Sequence, residues 1–69
     1  MYVRTLRHNE QTHRFLIMPA TDGWEVREEL DSQPLKVAHY SDWHRVERAQ
    51  MAFAQAVDSL RMAGWVEVA

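Results

Sequence analysis

The residues of this chain that are best suited to metal or acid–base chemistry are its histidines, because imidazole is a common metal ligand and titrates near neutral pH. They are His8, His13, His39 and His44. The two members of each pair are five residues apart, which fits neither a helical i, i+4 clamp nor a paired finger motif. No aspartate or glutamate completes a recognisable ligand set around them. The sequence therefore predicts no metal site.

A second group of reactive residue types lies at Ser41, Asp42 and His44, which are the types found in a hydrolase triad. A triad functions only when nucleophile, base and orienting carboxylate converge from a rigid scaffold. Neighbouring residues at the start of a helix do not converge in this way, and helix capping explains Ser41 and Asp42. Gly23 and Gly64 are the only glycines, so the chain has no glycine-rich phosphate loop. We expect no enzyme activity and no cofactor.

The size and composition of the chain limit the class of protein. Its 69 residues have room for a single domain, 1–69, with one core. The absence of cysteine excludes disulfides and thiolate zinc sites, which leaves oligomerisation as the common way to stabilise so small a domain. The N-terminal segment has no apolar run, and no stretch reaches the roughly 18 apolar residues of a membrane helix. We expect a soluble cytoplasmic protein with no membrane partner.

The segment from Ser41 to Gly64 contains the clearest helical pattern. Its apolar positions recur at spacings of three and four residues, and they are Val46, Ala49, Phe53, Val57, Leu60 and Gly64. This spacing places them on one side of an α-helix, which then needs a sheet to cover. Ser41 or Asp42 is suited to cap the first turn, and Gly64 is suited to close the last turn in a left-handed conformation.

Four segments before the helix alternate apolar and polar residues, as half-exposed strands do. The predicted strands are 2–7, 13–18, 24–30 and 35–40, and the predicted turns are 8–12, 19–23 and 31–34. Consecutive strands joined by short turns form an antiparallel meander. We therefore predict an α+β fold of order β-β-β-β-α, with one long helix packed on one face of the sheet. Residues 65–69 alternate again and are predicted to form a short strand or a tail.

Strand alternation also predicts which side chains lie on the sheet face turned away from the helix. They form a basic strip with one aromatic member, namely Arg7, Arg14, Arg27, Lys36 and Tyr40. Cations attract a phosphate backbone and an aromatic ring stacks on bases, so this combination is typical of single-stranded nucleic-acid binding. Glu25 and Glu29 share the face, and the alternative is a solvated surface of cross-strand ion pairs. The net charge of −2 adds no overall attraction for nucleic acid.

The helix carries a second series of residues on the side away from its core stripe, and it consists of His44, Met51, Gln55 and Met62. Methionine is favoured at adaptable contact surfaces, so Met51, Gln55 and Met62 are predicted to contact a second copy of the chain or another protein. The alternative is that both methionines only face solvent. Trp65 is predicted either to seal the end of the core or to dock on a second subunit.

The order of elements over residues 2–64 resembles that of the PUR, Whirly and related transcriptional-coactivator domains that bind single-stranded DNA. In that group the helix packs on one side of a curved sheet, dimers are usual, and the open sheet face carries the nucleic acid. The resemblance is one of element order. It implies a dimeric, transcription-regulator-like protein that binds nucleic acid on its open sheet face, whereas the basic strip itself is predicted from strand alternation alone.

Two functions follow as hypotheses. In the first, the chain is a dimeric single-stranded nucleic-acid-binding module that uses the open sheet face and performs no chemistry. In the second, it is a protein-interaction or accessory module that acts through the helix face and the C-terminal tail. The two differ in salt dependence, because nucleic-acid binding weakens steeply with salt whereas an apolar protein interface does not.

Overall fold

A computed structural model of the chain describes residues 1–68, which form five strands and one helix. In chain order these elements are β1 (Tyr2–His8), β2 (Gln11–Ala20), β3 (Gly23–Leu30), β4 (Gln33–Tyr40), α1 (Trp43–Met62) and β5 (Val66–Val68). The strands form one antiparallel sheet of order β4-β3-β2-β1-β5. The predicted α+β fold, a four-stranded meander followed by a helix packed on the sheet, is confirmed. Within the predicted C-terminal segment, residues 66–68 form the strand and not the tail, and Ala69 lies outside the described residues.

The turns between the first four strands are shorter than predicted. The last pairs before the turns are His8–Gln11, Ala20–Gly23 and Leu30–Gln33. Asn9, Asp31 and Ser32 have φ values of 55°, 50° and 67°. Positive φ values in tight turns match the right-handed twist of the flanking strands, so the strands stay paired up to the turn itself.

Pro19 and Pro34, which the sequence places in turns, lie within β2 and β4. Pro19 lies beyond the last pair between β1 and β2, and Pro34 lies on the edge strand β4 next to a register irregularity. Proline is tolerated at strand ends, at sheet edges and at bulges, because its missing N–H leaves no ladder hydrogen bond unmade there. The predicted turn boundaries at these prolines are therefore wrong.

The hydrophobic core lies between α1 and one face of the sheet. It consists of seven buried side chains, Leu6, Phe15, Ile17, Val26, Val46, Phe53 and Val57. Phe15 and Phe53 join the two layers, with ring centroids 4.9 Å apart. The helix contributes Val46, Phe53 and Val57, with Ala49 and Leu60 partly buried beside them. The predicted apolar stripe is therefore confirmed except for Gly64, which lies beyond the end of α1. Burying a side chain of this size contributes roughly 1.5–3 kcal/mol, so this layer is the main source of stability.

Both ends of α1 are closed by the residues that flank it. The Asp42 carboxylate accepts a hydrogen bond of 3.0 Å from the backbone N–H of His44, which makes Asp42 the N-cap. At the other end the Trp65 N–H donates to the carbonyl oxygen of Leu60 at 3.0 Å, while Gly64 adopts a φ of 103°. This is a Schellman arrangement, and it ends the helix so that β5 can return beside β1.

An ion pair ties β5 to the sheet. Arg4 donates from Nε and Nη2 to the two carboxylate oxygens of Glu67, at 2.7 and 2.6 Å. Such bidentate pairs combine charge with fixed geometry. The hydrogen bonds from Arg4 hold the pKa of Glu67 below its ordinary value, and the same bonds raise the pKa of Arg4.

Acidification is expected to loosen β5. The pKa of Glu67 is lower in the folded protein than in the unfolded chain, so the pair stabilises the fold above the ordinary carboxyl pKa. This contribution is lost as the pH falls through the folded value, and at the surface it amounts to about 1 kcal/mol or less. We expect amide protection factors in β5 to fall on acidification, and Glu67→Gln to lower them already at neutral pH. Protection in the parent that does not change as the carboxylates protonate would contradict this account.

Candidate interaction surfaces

Strand pairing shows which of the predicted site residues share a sheet face, because directly opposed residues point to the same side. Lys36 lies opposite Glu28, and Tyr40 lies opposite Trp24. Both partners alternate in step with Val26, which is buried beneath α1. Lys36 and Tyr40 therefore lie on the helix side of the sheet, and their predicted position on the open face is wrong.

The reason for this error lies in the composition of β4. Its more apolar alternate positions include Leu35 and Val37, which the pattern directs toward the core. In the structure these two side chains are 56% and 51% exposed, and Ala38 and Tyr40 face the helix instead. The small Ala38 lies opposite Val26, and the Tyr40 ring packs at the margin of the core. Packing beneath the helix, and not hydrophobicity alone, sets the orientation of this edge strand.

The other three members of the predicted basic strip, Arg7, Arg14 and Arg27, lie on the open face. Two of them form ion pairs within the sheet. Arg27 Nη1 lies 3.2 Å from Glu29 Oε2, and Arg27 Nε lies 3.5 Å from Glu25 Oε2. Arg14 Nη1 lies 3.8 Å from Glu29 Oε1. Of the ion pairs that the alternative predicted, Arg14–Glu29 joins neighbouring strands, whereas both pairs of Arg27 lie within β3.

The open face also carries apolar side chains. One row across the sheet consists of Val3, Leu16, Arg27 and Val37. Leu16 is only 6% exposed, although α1 packs on the opposite side. Four of the nine exposed large apolar side chains among the described residues lie on this face, namely Val3, Val37, Val66 and Val68. We call this set, together with Leu16, the open-face apolar set.

The outer face of α1 presents the other predicted contact residues. Met51 and Met62 are 66% and 90% exposed, and Gln55 between them is exposed. The surface around Met51 forms a shallow depression of about 320 Å³ that also includes Glu47 and Ala54. Polar residues separate the two methionines, so the apolar surface of this face is less continuous than that of the open sheet face.

Trp65 seals the end of the core beside β1 and β2. Its ring stacks on His8 with a centroid distance of 5.4 Å and meets the ring of His13 edge-on at 5.9 Å. His13 in turn places Nε2 at 2.8 Å from Glu28 Oε2. These contacts involve aromatic rings and a single carboxylate. Within residues 1–68, no group of three or more His, Asp or Glu side chains is arranged to hold a metal ion.

Comparison with known proteins assigns this arrangement to no family. No protein-family model, no curated protein and no solved structure matches the chain. The resemblance to the PUR and Whirly domains thus stays a prediction from element order. In the part of the chain that the structure describes, no helix is both long enough and apolar enough to span a membrane.

Proposed function

We propose that the chain is a non-enzymatic interaction module that forms a homodimer through its open sheet face. The observation that supports this proposal is the open-face apolar set. An antiparallel sheet covered on one side by a helix usually places polar residues on its other side. Here Val37 on β4, together with Val66 and Val68 on β5, faces outward at the two edges, and Val3 and Leu16 lie between them.

A second copy of the chain suits this face because the charges on it are of both signs. Along β3 the outward residues are Glu25, Arg27 and Glu29. A two-fold axis in the plane of the interface that passes between Arg27 and Glu29 places Arg27 opposite Glu29 of the other copy, so the ion pair within each sheet lies against the oppositely oriented pair of the other copy. An isologous interface requires such self-complementarity, since the same patch serves both subunits.

The size of the open face is also adequate for a dimer. The five strands contain 36 residues in total. At about 3.4 Å per residue along a strand and about 4.8 Å between strands, they cover on the order of 600 Å² in projection. A standard interface buries about 800 Å² of accessible surface per partner, and accessible area exceeds projected area. The short chain adds a reason for association, because seven buried side chains form a small core.

The hypothesis that this face binds single-stranded nucleic acid is less well supported. Its arginines Arg14 and Arg27 already pair with glutamates. Tyr40, the proposed stacking platform, lies on the helix side, and no Phe, Trp or Tyr of β1 to β5 alternates onto the open face. Single-stranded nucleic-acid binding relies on such stacking in addition to backbone attraction.

Sedimentation equilibrium of two glutamate variants tests the proposed surface. We expect the mass of the parent to approach twice the chain mass of 8.2 kDa as its concentration rises through the micromolar range. Val37→Glu introduces an unpaired charge at the interface and is expected to raise the dimer dissociation constant by at least about tenfold. Met51→Glu is the matched control, because Met51 is similarly exposed but lies on the outer helix face, and it should leave the dimer intact. A monomeric parent, or loss of the dimer only in Met51→Glu, would refute the proposal.

A further inference from the structure

Two arginines of α1 lie near Lys36 and Tyr40 on the helix side of the sheet. Lys36 and Tyr40 line a cleft of about 340 Å³ together with Arg45, Arg48 and Ala49. The cleft lies between the edge strand β4 and the first half of α1. We propose that this basic cleft binds a phosphate group. The proposal does not depend on the homodimer, because the cleft lies on the opposite side of the sheet from the open face.

Local structure brings the three cations together. Lys36 occupies a helix-side position on β4, next to the bulge between Glu28 and Glu29. Arg45 and Arg48 are three residues apart on α1, so they lie on neighbouring positions of one helix face, about 4.5 Å apart along the axis. Ala49, with its small side chain, leaves space between the strand and the helix.

The charges of this cleft are not neutralised within the described chain. Lys36, Arg45 and Arg48 form no ion pair with any carboxylate of residues 1–68. The nearby carboxylates have other partners. Glu28 contacts His13 at 2.8 Å, Asp42 caps the helix, and Glu47 lies 3.6 Å from His44.

The donor set matches the chemistry of a phosphate. Arginine presents a planar fork of N–H donors to phosphate oxygens, and lysine adds a mobile point charge. The Tyr40 hydroxyl adds a neutral donor. A second cleft of about 310 Å³ adjoins the first, shares Tyr40 and Arg45, and is also lined by His39, Ser41 and Asp42. Because the Asp42 carboxylate repels phosphate, the proposed phosphate position is confined to the first cleft.

Two probes distinguish the source of the phosphate, namely pyrophosphate and a fluorescein-labelled oligothymidylate. Pyrophosphate is titrated with amide NMR detection, and saturable shifts are expected at Lys36, Tyr40 and Arg48. The oligothymidylate is titrated by fluorescence anisotropy at several salt concentrations. Three phosphate contacts to a single strand predict a slope of about −2 for log K against log salt. Binding of pyrophosphate alone identifies a free phosphate compound, and binding of the oligothymidylate with this slope identifies a nucleic-acid backbone.

Two glutamine variants provide the decisive comparison. Arg48→Gln removes one proposed phosphate contact, and we expect it to weaken binding of the responding probe by roughly tenfold at low salt. Arg7→Gln is the control, because Arg7 carries the same charge, is exposed and lies on the open face. Both changes are at exposed positions, so both variants should fold. Absence of saturable binding by either probe, or an equal loss in Arg7→Gln, would overturn the proposal whatever the oligomeric state.

Discussion

Replacement of Phe15 by alanine is expected to remove most of the stability of this domain. Phe15 is fully buried and contacts Phe53 of the helix and His13 of its own strand, with centroid distances of 4.9 and 4.6 Å. A Phe→Ala change in a core costs about 3–5 kcal/mol through lost burial and a residual cavity. A chain of 69 residues has about 3–10 kcal/mol in total, at about 0.05–0.15 kcal/mol per residue.

Urea denaturation followed by tryptophan fluorescence measures this effect. The Phe15→Ala variant should show a strongly reduced midpoint or be unfolded without urea. Met51→Ala serves as the control, since Met51 is 66% exposed and its truncation should change the free energy of unfolding by about 0.5 kcal/mol or less. Equal midpoints for the two variants would mean that Phe15 does not join the sheet to the helix.

Replacement of Gly23 by alanine is expected to have the second large effect. Gly23 lies at the start of β3 with a φ of 145°, a conformation that residues with a Cβ atom rarely adopt. An added Cβ would lie 2.2 Å from the carbonyl oxygen of Tyr40 and 2.9 Å from Cα of Ser41. Both neighbours are backbone atoms at the junction of β4 and α1. The strain and the required backbone shift are expected to cost about 2–4 kcal/mol.

Gly64→Ala is the matched control for this prediction. Gly64 also has a positive φ, 103°, but an added Cβ would meet only the ring of His8, at 3.4 and 3.5 Å. Its cost should be limited to the conformational strain, about 1 kcal/mol. Thermal or urea unfolding of the two variants should therefore show the larger loss for Gly23→Ala. The reverse order would show that β3 does not approach the β4–α1 junction as closely as described.

The sequence predicted the structure best in segments whose hydrophobic pattern is compatible with only one buried face. The spacing of Val46, Phe53 and Val57 requires a single helix face, and it identified the helical half of the core. Alternation in β2 likewise predicted that Phe15 and Ile17 share one face and Leu16 lies on the other. The turn boundaries were less accurate, because φ values and pairing at the strand ends depend on the partner strand as well as on residue type.

The candidate site was less predictable because it depends on the orientation of an edge strand. In β4 both alternate series contain apolar residues, so the sequence alone favoured Leu35 and Val37 as core residues. The packing of Tyr40 beneath the helix reverses this choice for residues 36–40, which lie on one side of the register shift. Val37 is therefore exposed on the open face, and Lys36 lies on the same side of the sheet as Arg45 and Arg48.

The proposal that the open sheet face joins two copies of the chain is tested most directly by amide NMR spectra over a dilution series of the parent protein. We predict concentration-dependent shifts at Val3, Leu16 and Val37, with constant shifts around Met51 and Gln55 on the outer helix face. A monomer whose spectra do not change with concentration would contradict the proposed interface. Shift changes confined to the outer helix face would also contradict it.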